Sequence, residues 1–339
     1  MQQIDERLII APVLAVAVSA GFLAVSRMQG PEVAYFAAAA IPPGEPAIEQ
    51  AARQVARQAT QAEPLLPPKR PKVDRPPTQS VLALSDWFAE LKYDLEHIRE
   101  KGATVPPAFL ASLPPDLGRI RETQERKRLF FQAVLPLILR ANQEILADRK
   151  RLWRVQADDR LGRAIPAQDR LWLRAMAEKY ETDPGDLTTL LRRVDIVPPS
   201  LALAQAAEES GWGTSRFARQ GNAIFGQWTM EKAEGLVPLN RDEDKDHLVR
   251  RFKALIDSVR AYMANLNTHR AYRELRQGRE ALRRAGDPLN GLSLARFLNR
   301  YSQRGDHYVD AIRDMIQGNE LNRLDDARLA YGQATDPEA

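Results

Sequence analysis

Apolar residues follow three regimes along the chain. From Leu8 to Ser26 the run LIIAPVLAVAVSAGFLAVS carries no charge. As a helix it is just long enough to span about 30 Å of hydrocarbon, and its Pro12 and Gly21 are tolerated in membrane helices. From Pro42 to Pro77 apolar residues thin out, and nine of the chain's 23 prolines fall in that stretch. A short Ala/Gln/Arg segment, Ala47–Ala62, has helical composition. The rest has little to bury and reads as an extended, disordered linker with a basic end at Lys69, Arg70, Lys72 and Arg75. From Val81 onward apolar positions recur at helical spacing.

In that third regime Ser85 is the expected cap of a helix bearing Trp87, Phe88, Leu91, Leu95 and Ile98. Pro106-Pro107 and Pro114-Pro115 mark loops. Arg126–Val155 forms a long amphipathic pattern with a kink expected at Pro136. Asp169–Tyr180 and Asp186–Arg193 predict two more helices. Pro198-Pro199-Ser200 opens the helix LALAQAAEES, and Gly211 closes it, which is the usual punctuation of first turn and end. Glu231–Val249, polar and broken by Gly235 and Pro238, predicts an irregular hairpin or mobile lobe, with a strand possible at Leu248–Phe252. Ile256–Leu266, Leu292–Leu298 and Val309–Ile316 predict the last helices.

Composition narrows the function classes. Of 339 residues, 44% are hydrophobic and 28% charged, so a real core forms and wholesale disorder is excluded. Aromatics at 7% favour helix over a β-sandwich. Lys and Arg number 49 against 45 Asp and Glu, a net charge of +4, without the concentrated basic face of a nucleic-acid binder. The absence of cysteine removes disulfides, zinc–thiolate sites and thiol nucleophiles. His97, His247, His269 and His307 are nowhere at helical i,i+4 spacing, so no metal site and no cofactor are expected.

The helix Leu201–Ser210 carries the candidate chemistry. Leu201, Gln205 and Glu209 share one face at i,i+4,i+8, while Glu208 points about 100° away. Only one of the two adjacent carboxylates therefore faces a cleft. Glu209 lies one residue from the helix end, where the dipole disfavours negative charge, and Trp212 follows it. Both effects raise a carboxyl pKa. A protonated carboxyl is what a glycosidic oxygen requires of a general acid. The competing reading of the same residues is a helix C-cap with a surface glutamate and a packed tryptophan.

AQAAEESGWGTSRFA (Ala204–Ala218) followed by GNAIFGQW (Gly221–Trp228) resembles the glucosaminidase family of bacterial peptidoglycan hydrolases. Within it the sequence is most similar to the Bax-type branch, related to flagellar-rod glucosaminidases. The resemblance extends to LVPLNRD (Leu236–Asp242), DSVRAYMANLNTHRAYRELR (Asp257–Arg276) and YSQRGDHY (Tyr301–Tyr308), and to the lead-in LPLILRANQEILADRKRL (Leu135–Leu152). It covers most of Val81–Arg323 and leaves out the apolar segment and the linker.

The resemblance implies an α+β, predominantly helical, lysozyme-like catalytic domain with a small irregular β-lobe, preceded by a transmembrane helix and a disordered linker. It implies Glu209 as proton donor and Tyr301 at the catalytic cleft. A second carboxylate from the β-lobe would come from among Glu231, Glu234, Asp242, Glu243, Asp244 and Asp246. Glu234, followed by Gly235, is the one selected; failing it, the substrate's acetamido oxygen could serve as nucleophile. Substrate contacts are expected from Gln205, Trp212, Asn222, Phe225, Trp228 and Tyr308. Two departures stand out: Gln303-Arg304-Gly305 replaces the Thr-Asp-Pro of many relatives, and Glu208 stands where they carry an apolar residue.

The domains expected are a membrane anchor or signal at 1–27, a linker at 28–80, a helical lead-in packed on the catalytic domain at 81–160, the glucosaminidase domain at 161–323 and a flexible tail at 324–339. The implied function is endo-β-N-acetylglucosaminidase cleavage of peptidoglycan glycan strands. The implied location is the bacterial inner membrane, with the enzyme in the periplasm and held through residues 8–26. A cleaved signal with candidate sites at Ala37–Ala40 is the alternative; Asp5 and Glu6 beside Arg7 disfavour it. Two other functions fit parts of the pattern. A lytic transglycosylase would use the same glutamate, but usually continues Gly-Leu-Met-Gln where this chain has Ile224-Phe225-Gly226-Gln227. A non-catalytic glycan-binding module would not need Glu209, Trp212 and Tyr301 together.

Overall fold

The computed structural model describes residues 80–229, 235–236 and 248–330, all within a compact unit spanning Lys72–Ala339. The expected membrane segment and linker lie outside the described residues, as does Glu234 with the other loop carboxylates. Among the described residues no helix is long and apolar enough to cross a membrane.

Ser80, not Ser85, caps the first helix, α1 (Val81–Glu90), accepting a hydrogen bond from the Ala83 N–H. The apolar pattern expected to form one helix is split, because Lys92 adopts φ 52° and Asp94 starts a new cap for α2 (Leu95–Lys101). The long helix α3 (Thr123–Arg160) runs through Pro136 for 38 residues, about 57 Å. Every residue from Leu129 to Leu139 is buried, so its middle is enclosed on all sides, as an all-round apolar helix must be. Then come α4 (Ala167–Lys179), α5 (Leu187–Arg193) and α6 (Pro199–Ser210).

Helix α6 is the hub. All its residues from Pro199 to Ala207 are buried, and α3 packs against it. Its alanines let neighbours approach closely. The Asn142 amide of α3 fixes its approach, donating to the Val197 carbonyl at 2.8 Å and accepting from the Val197 N–H at 3.2 Å.

Beyond α7 (Arg216–Gly221), three short antiparallel strands make the β-lobe: β1 (Trp228–Thr229), β2 (Gly235–Leu236) and β3 (Leu248–Arg250), in the order β1-β3-β2. Trp228 pairs with Val249 and Gly235 with Arg250. The remaining helices are α8 (Leu255–Thr268), α9 (Arg273–Ala285), α10 (Gly291–Ala295) and α11 (Asp306–Gly318). The last two also pack on α6, and α8 packs on α3. The described chain is thus predominantly helical with one small sheet. Helix α9 has no counterpart among the helices expected from periodicity. Its repeating arginines hide the signal, and two of them, Arg276 and Arg279, are buried.

One hydrophobic core runs from Leu84 to Leu329 and includes residues on both sides of position 160. A buried carboxylate, Asp195, ties distant elements together. Arg283 of α9 donates to it at 2.8 Å, with Arg149 of α3 and Arg279 of α9 at 3.6 and 3.7 Å. Burial alone would push this carboxyl up, but Arg279, Arg283 and Arg149 together hold it below the ordinary value.

The flexible tail expected from position 324 does not begin there. Leu324 and Leu329 are buried, and Val105 forms a parallel bridge with Leu329. Asp325 accepts from the Ser200 N–H and hydroxyl, each at 2.8 Å, and from the Gly291 N–H at 3.1 Å. A carboxylate that serves the start of α6 and of α10 at once cannot belong to a frayed end.

Candidate active site

Glu209 reaches the surface because α6 stops one residue later. Three consecutive residues, Gly211, Trp212 and Gly213, adopt φ of 56°, 59° and 76°. The N–H groups of Gly211 and Trp212 both return to the Ala207 carbonyl. Ser210 locks the turn, donating from its hydroxyl to the Ala206 carbonyl at 2.6 Å and accepting from the Gly213 N–H at 2.8 Å. The helix end is therefore rigid, and the half-buried Glu209 leaves it in a set direction.

A directed chain of hydrogen bonds leads to that carboxyl. The Tyr262 hydroxyl donates to Gln205 Oε1 at 2.7 Å, and Gln205 Nε2 donates to the Tyr308 hydroxyl at 3.0 Å. Tyr308 has one proton left to give, and it donates to Glu209 Oε1 at 2.8 Å. The other oxygen, Oε2, faces Gly226, where even a Cβ atom would stand 3.5 Å away. Burial pushes the Glu209 carboxyl above its ordinary value; the Tyr308 hydrogen bond pulls it partly back, and Glu208 adds to the rise against Arg304. Glu208 itself points elsewhere and pairs with Arg304 at 2.9 Å.

The expected site residues separate into several groups. Glu209 and Tyr308 are joined directly. Tyr301 is half-buried and stacks on Tyr308 with ring centroids 5.4 Å apart and planes 8° from parallel, its hydroxyl 3.4 Å from the Phe225 carbonyl. It reaches Glu209 through Tyr308 and has no hydrogen bond to the carboxyl. Gln205, expected to touch substrate, is fully buried with its amide spent on two tyrosines. Phe225, expected as a stacking surface for sugar, is buried and lies 3.9 Å from the Tyr262 ring, almost parallel to it. Asn222 is also buried, at φ 52°, and its amide donates to the Phe252 and Lys253 carbonyls, joining the end of α7 to the segment after β3. Gln205 and Phe225 thus support the site tyrosines, whereas Asn222 braces the end of α7.

Trp212, expected beside Glu209, turns its ring onto α3, edge-on to Phe130 and Phe131 and beneath the Lys127 ammonium. The Trp228 side chain and Glu234 lie outside the described residues. Tyr262, Gly226 and Arg304 were not expected as site residues. All three fall inside the quoted motifs, but nothing in a linear string brings Tyr262 to a residue 57 positions earlier. Among the described residues no cluster of three or more His, Cys, Asp or Glu side chains could hold a metal.

Comparison with known proteins bears on this arrangement. A family model, Glucosaminidase, described as mannosyl-glycoprotein endo-beta-N-acetylglucosaminidase, matches residues 186–321. That range holds Glu209, Tyr262, Tyr301 and Tyr308. Protein bax of Escherichia coli (strain K12) is 34% identical over 212 residues, covering 61% of this chain and 74% of the relative. The catalytic domain of the autolysin Auto from Listeria monocytogenes superposes with a TM-score of 0.28 at 17% identity, covering 50% of this chain and 96% of that one.

Proposed function

The chain belongs to the glucosaminidase family, as a Bax-type member, and from that premise we propose that it hydrolyses peptidoglycan glycan strands at N-acetylglucosaminyl bonds, with Glu209 as general acid. The observation that carries this reading is the Glu209 carboxyl, raised above its ordinary pKa by burial and, among the described residues, hydrogen-bonded through Oε1 alone. With Oε1 occupied by the Tyr308 proton, the acid proton resides on Oε2. That oxygen faces Gly226, which brings no side chain of its own against it.

Proton transfer from Oε2 accompanies cleavage of the glycosidic C–O bond, and the leaving sugar departs as an alcohol. The carboxylate that remains is stabilised by the Tyr308 hydroxyl. Tyr301 holds the Tyr308 ring face and so positions the acid. Water then completes hydrolysis, activated by a carboxylate of the β-lobe, with Glu234 our choice, or after attack by the substrate's own acetamido oxygen.

We place the enzyme on the periplasmic side of a bacterial inner membrane, anchored through residues 8–26, with the linker giving reach towards the wall. The support is the uncharged 19-residue length of Leu8–Ser26 in the sequence. Alkaline carbonate extraction should leave the full-length chain in the membrane pellet; release of a shortened chain means a cleaved signal.

Mass spectrometry of muropeptides released from purified sacculi tests the reaction. Reducing N-acetylglucosamine ends are expected. Products with 1,6-anhydro ends would replace hydrolysis by a lytic transglycosylase reaction, and the absence of products would leave a binding module.

A further inference from the structure

Behind the tyrosine pair lies a second, unclaimed feature. Tyr272 packs against Tyr301 with ring centroids 5.8 Å apart, and Tyr301 in turn stacks on Tyr308. Around the far end of this ladder is a surface cavity of about 730 Å³, lined by Arg270, Ala271, Arg273, Glu274, Gln277 and Arg300. The three arginines are exposed. None of them is bonded to a carboxylate among the described residues, and Glu274 is the single acid in the lining.

This sets the cavity apart from the other arginine-rich region of the molecule. Around Asp195 the guanidinium groups are satisfied internally: Arg283 bonds Asp195, Arg192 and Arg284 bond Glu280, and Arg279 donates to the Ile196 and Arg192 carbonyls. That cluster holds the fold together. The Arg270–Arg273–Arg300 group does no such work, and three like charges held close together repel one another unless an anion joins them.

The group is nevertheless built on a firm base. Buried Arg276 donates to the Leu266 and His269 carbonyls at 2.9 and 3.0 Å, fixing the turn between α8 and α9 that carries Arg270. His269 accepts from the Ala271 N–H at 3.3 Å and packs on Tyr272. Arg300 directly precedes Tyr301 in the chain. Two ring-to-ring steps therefore connect this cationic cavity to the residue that bonds Glu209.

We propose that Arg270, Arg273 and Arg300 form a subsite for carboxylates of the stem peptides carried by the glycan strand, so that the enzyme favours peptide-bearing over peptide-free strands. The inference rests on the hydrolase reading above and adds a specificity at a second surface, joined to the Glu209 site through Tyr272 and Tyr301. Arginine suits a carboxylate because its fork can bind both oxygens. Three partly exposed contacts of this kind are worth about tenfold in affinity, weakening with salt.

The test compares peptide-bearing glycan strands with strands stripped of their peptides, using the full chain and its Arg270→Ala/Arg273→Ala/Arg300→Ala variant. The variant should lose about tenfold in kcat/KM on peptide-bearing strands and nothing on stripped ones. The corresponding triple lysine variant keeps the charge without the fork and should fall between the wild type and the alanine variant on peptide-bearing strands. Equal loss on both substrates, or no loss on either, overturns the subsite. Binding to the Glu209→Gln chain gives a readout free of turnover: muropeptides should bind more tightly than the same compounds with their carboxylates amidated, and equal binding overturns the proposal. If the wild-type chain cleaves neither strand yet binds the charged muropeptide preferentially, the hydrolase reading fails while the subsite stands.

Discussion

Glu209 illustrates how a common side chain acquires uncommon chemistry from its neighbours. Glu209→Gln keeps shape and hydrogen bonding but has no proton to give, so turnover should fall by about 10²–10⁴ or more, read from product release on sacculi. The same variant reports on the raised pKa. Within the fold Glu209 keeps its proton through a pH window in which the unfolded chain has already lost it. Its contribution to stability is therefore present below the ordinary carboxyl pKa and is lost as pH rises through the folded value. Glu209→Gln removes that loss, so its melting temperature at neutral pH should equal or exceed that of the wild type, with the difference vanishing in acid. A variant less stable at neutral pH than in acid, relative to wild type, would contradict the raised value. Tyr308→Phe removes the hydrogen bond that pulls this carboxyl down. It should shift the alkaline limb of the pH–rate profile upward and reduce turnover, whereas Tyr301→Phe, which deletes only a long contact to the Phe225 carbonyl, should do less. Gln205 and Phe225 were expected to contact substrate because they lie in the right motifs. Their residue types did not tell whether they face the cleft or back the residues that do.

The decisive element is the end of α6. The sequence Ser-Gly-Trp-Gly predicts a helix stop from glycine alone, and the stop occurs there, but the turn demands positive φ at the tryptophan as well. Gly213 is constrained twice: φ is 76°, and an added Cβ would stand 2.6 Å from Leu113 Cδ1 and 3.0 Å from Leu117 Cδ2. Gly213→Ala should cost more than about 1 kcal/mol and should also lower activity, because the turn aims Glu209. Gly286, at φ 75° with nothing within 4 Å of an added Cβ, is the matched control. Gly286→Ala carries the backbone strain without the clash and should lose less stability and no activity, as thermal melts and sacculus digestion would show. Helix boundaries elsewhere were legible where proline or a capping aspartate marks them, as Asp186 does for α5 by accepting from the Thr189 N–H. They were misplaced where two caps compete, as at Ser80 and Ser85.

Across the whole molecule, carboxylates far apart in sequence pin α6 in place. Asp325 lies 125 residues from Ser200 and bonds both its N–H and its hydroxyl. Burial raises its carboxyl to about 6 against the pull of these bonds. Asp325→Ala strands buried donors at the start of two helices and should cost about 1–3 kcal/mol, measurable by urea denaturation. By the same sign argument as for Glu209, the wild-type contribution from Asp325 falls as pH rises through about 6. The stability difference between wild type and Asp325→Ala should therefore be smaller at pH above that value than in acid. A change of near zero at every pH would mean that the segment after Leu324 does not bear on α6.

Helical character, the stop after Ser210, the split between Glu208 and Glu209 and the motifs of the family were all present in the linear order of residues, because each depends on neighbours within one or two turns. Tertiary structure decided what lies around Glu209. The chain Tyr262–Gln205–Tyr308–Glu209 joins residues from three separate helices, and its direction follows from proton counting that is possible only once the partners are known. The place of Trp212 was decided in the same way: at a positive φ, its ring packs onto Phe130 and Phe131 of α3. A local sequence can state which groups are available, but the dielectric surroundings and the hydrogen-bond direction of a carboxyl are set by contacts between segments that no local pattern encodes.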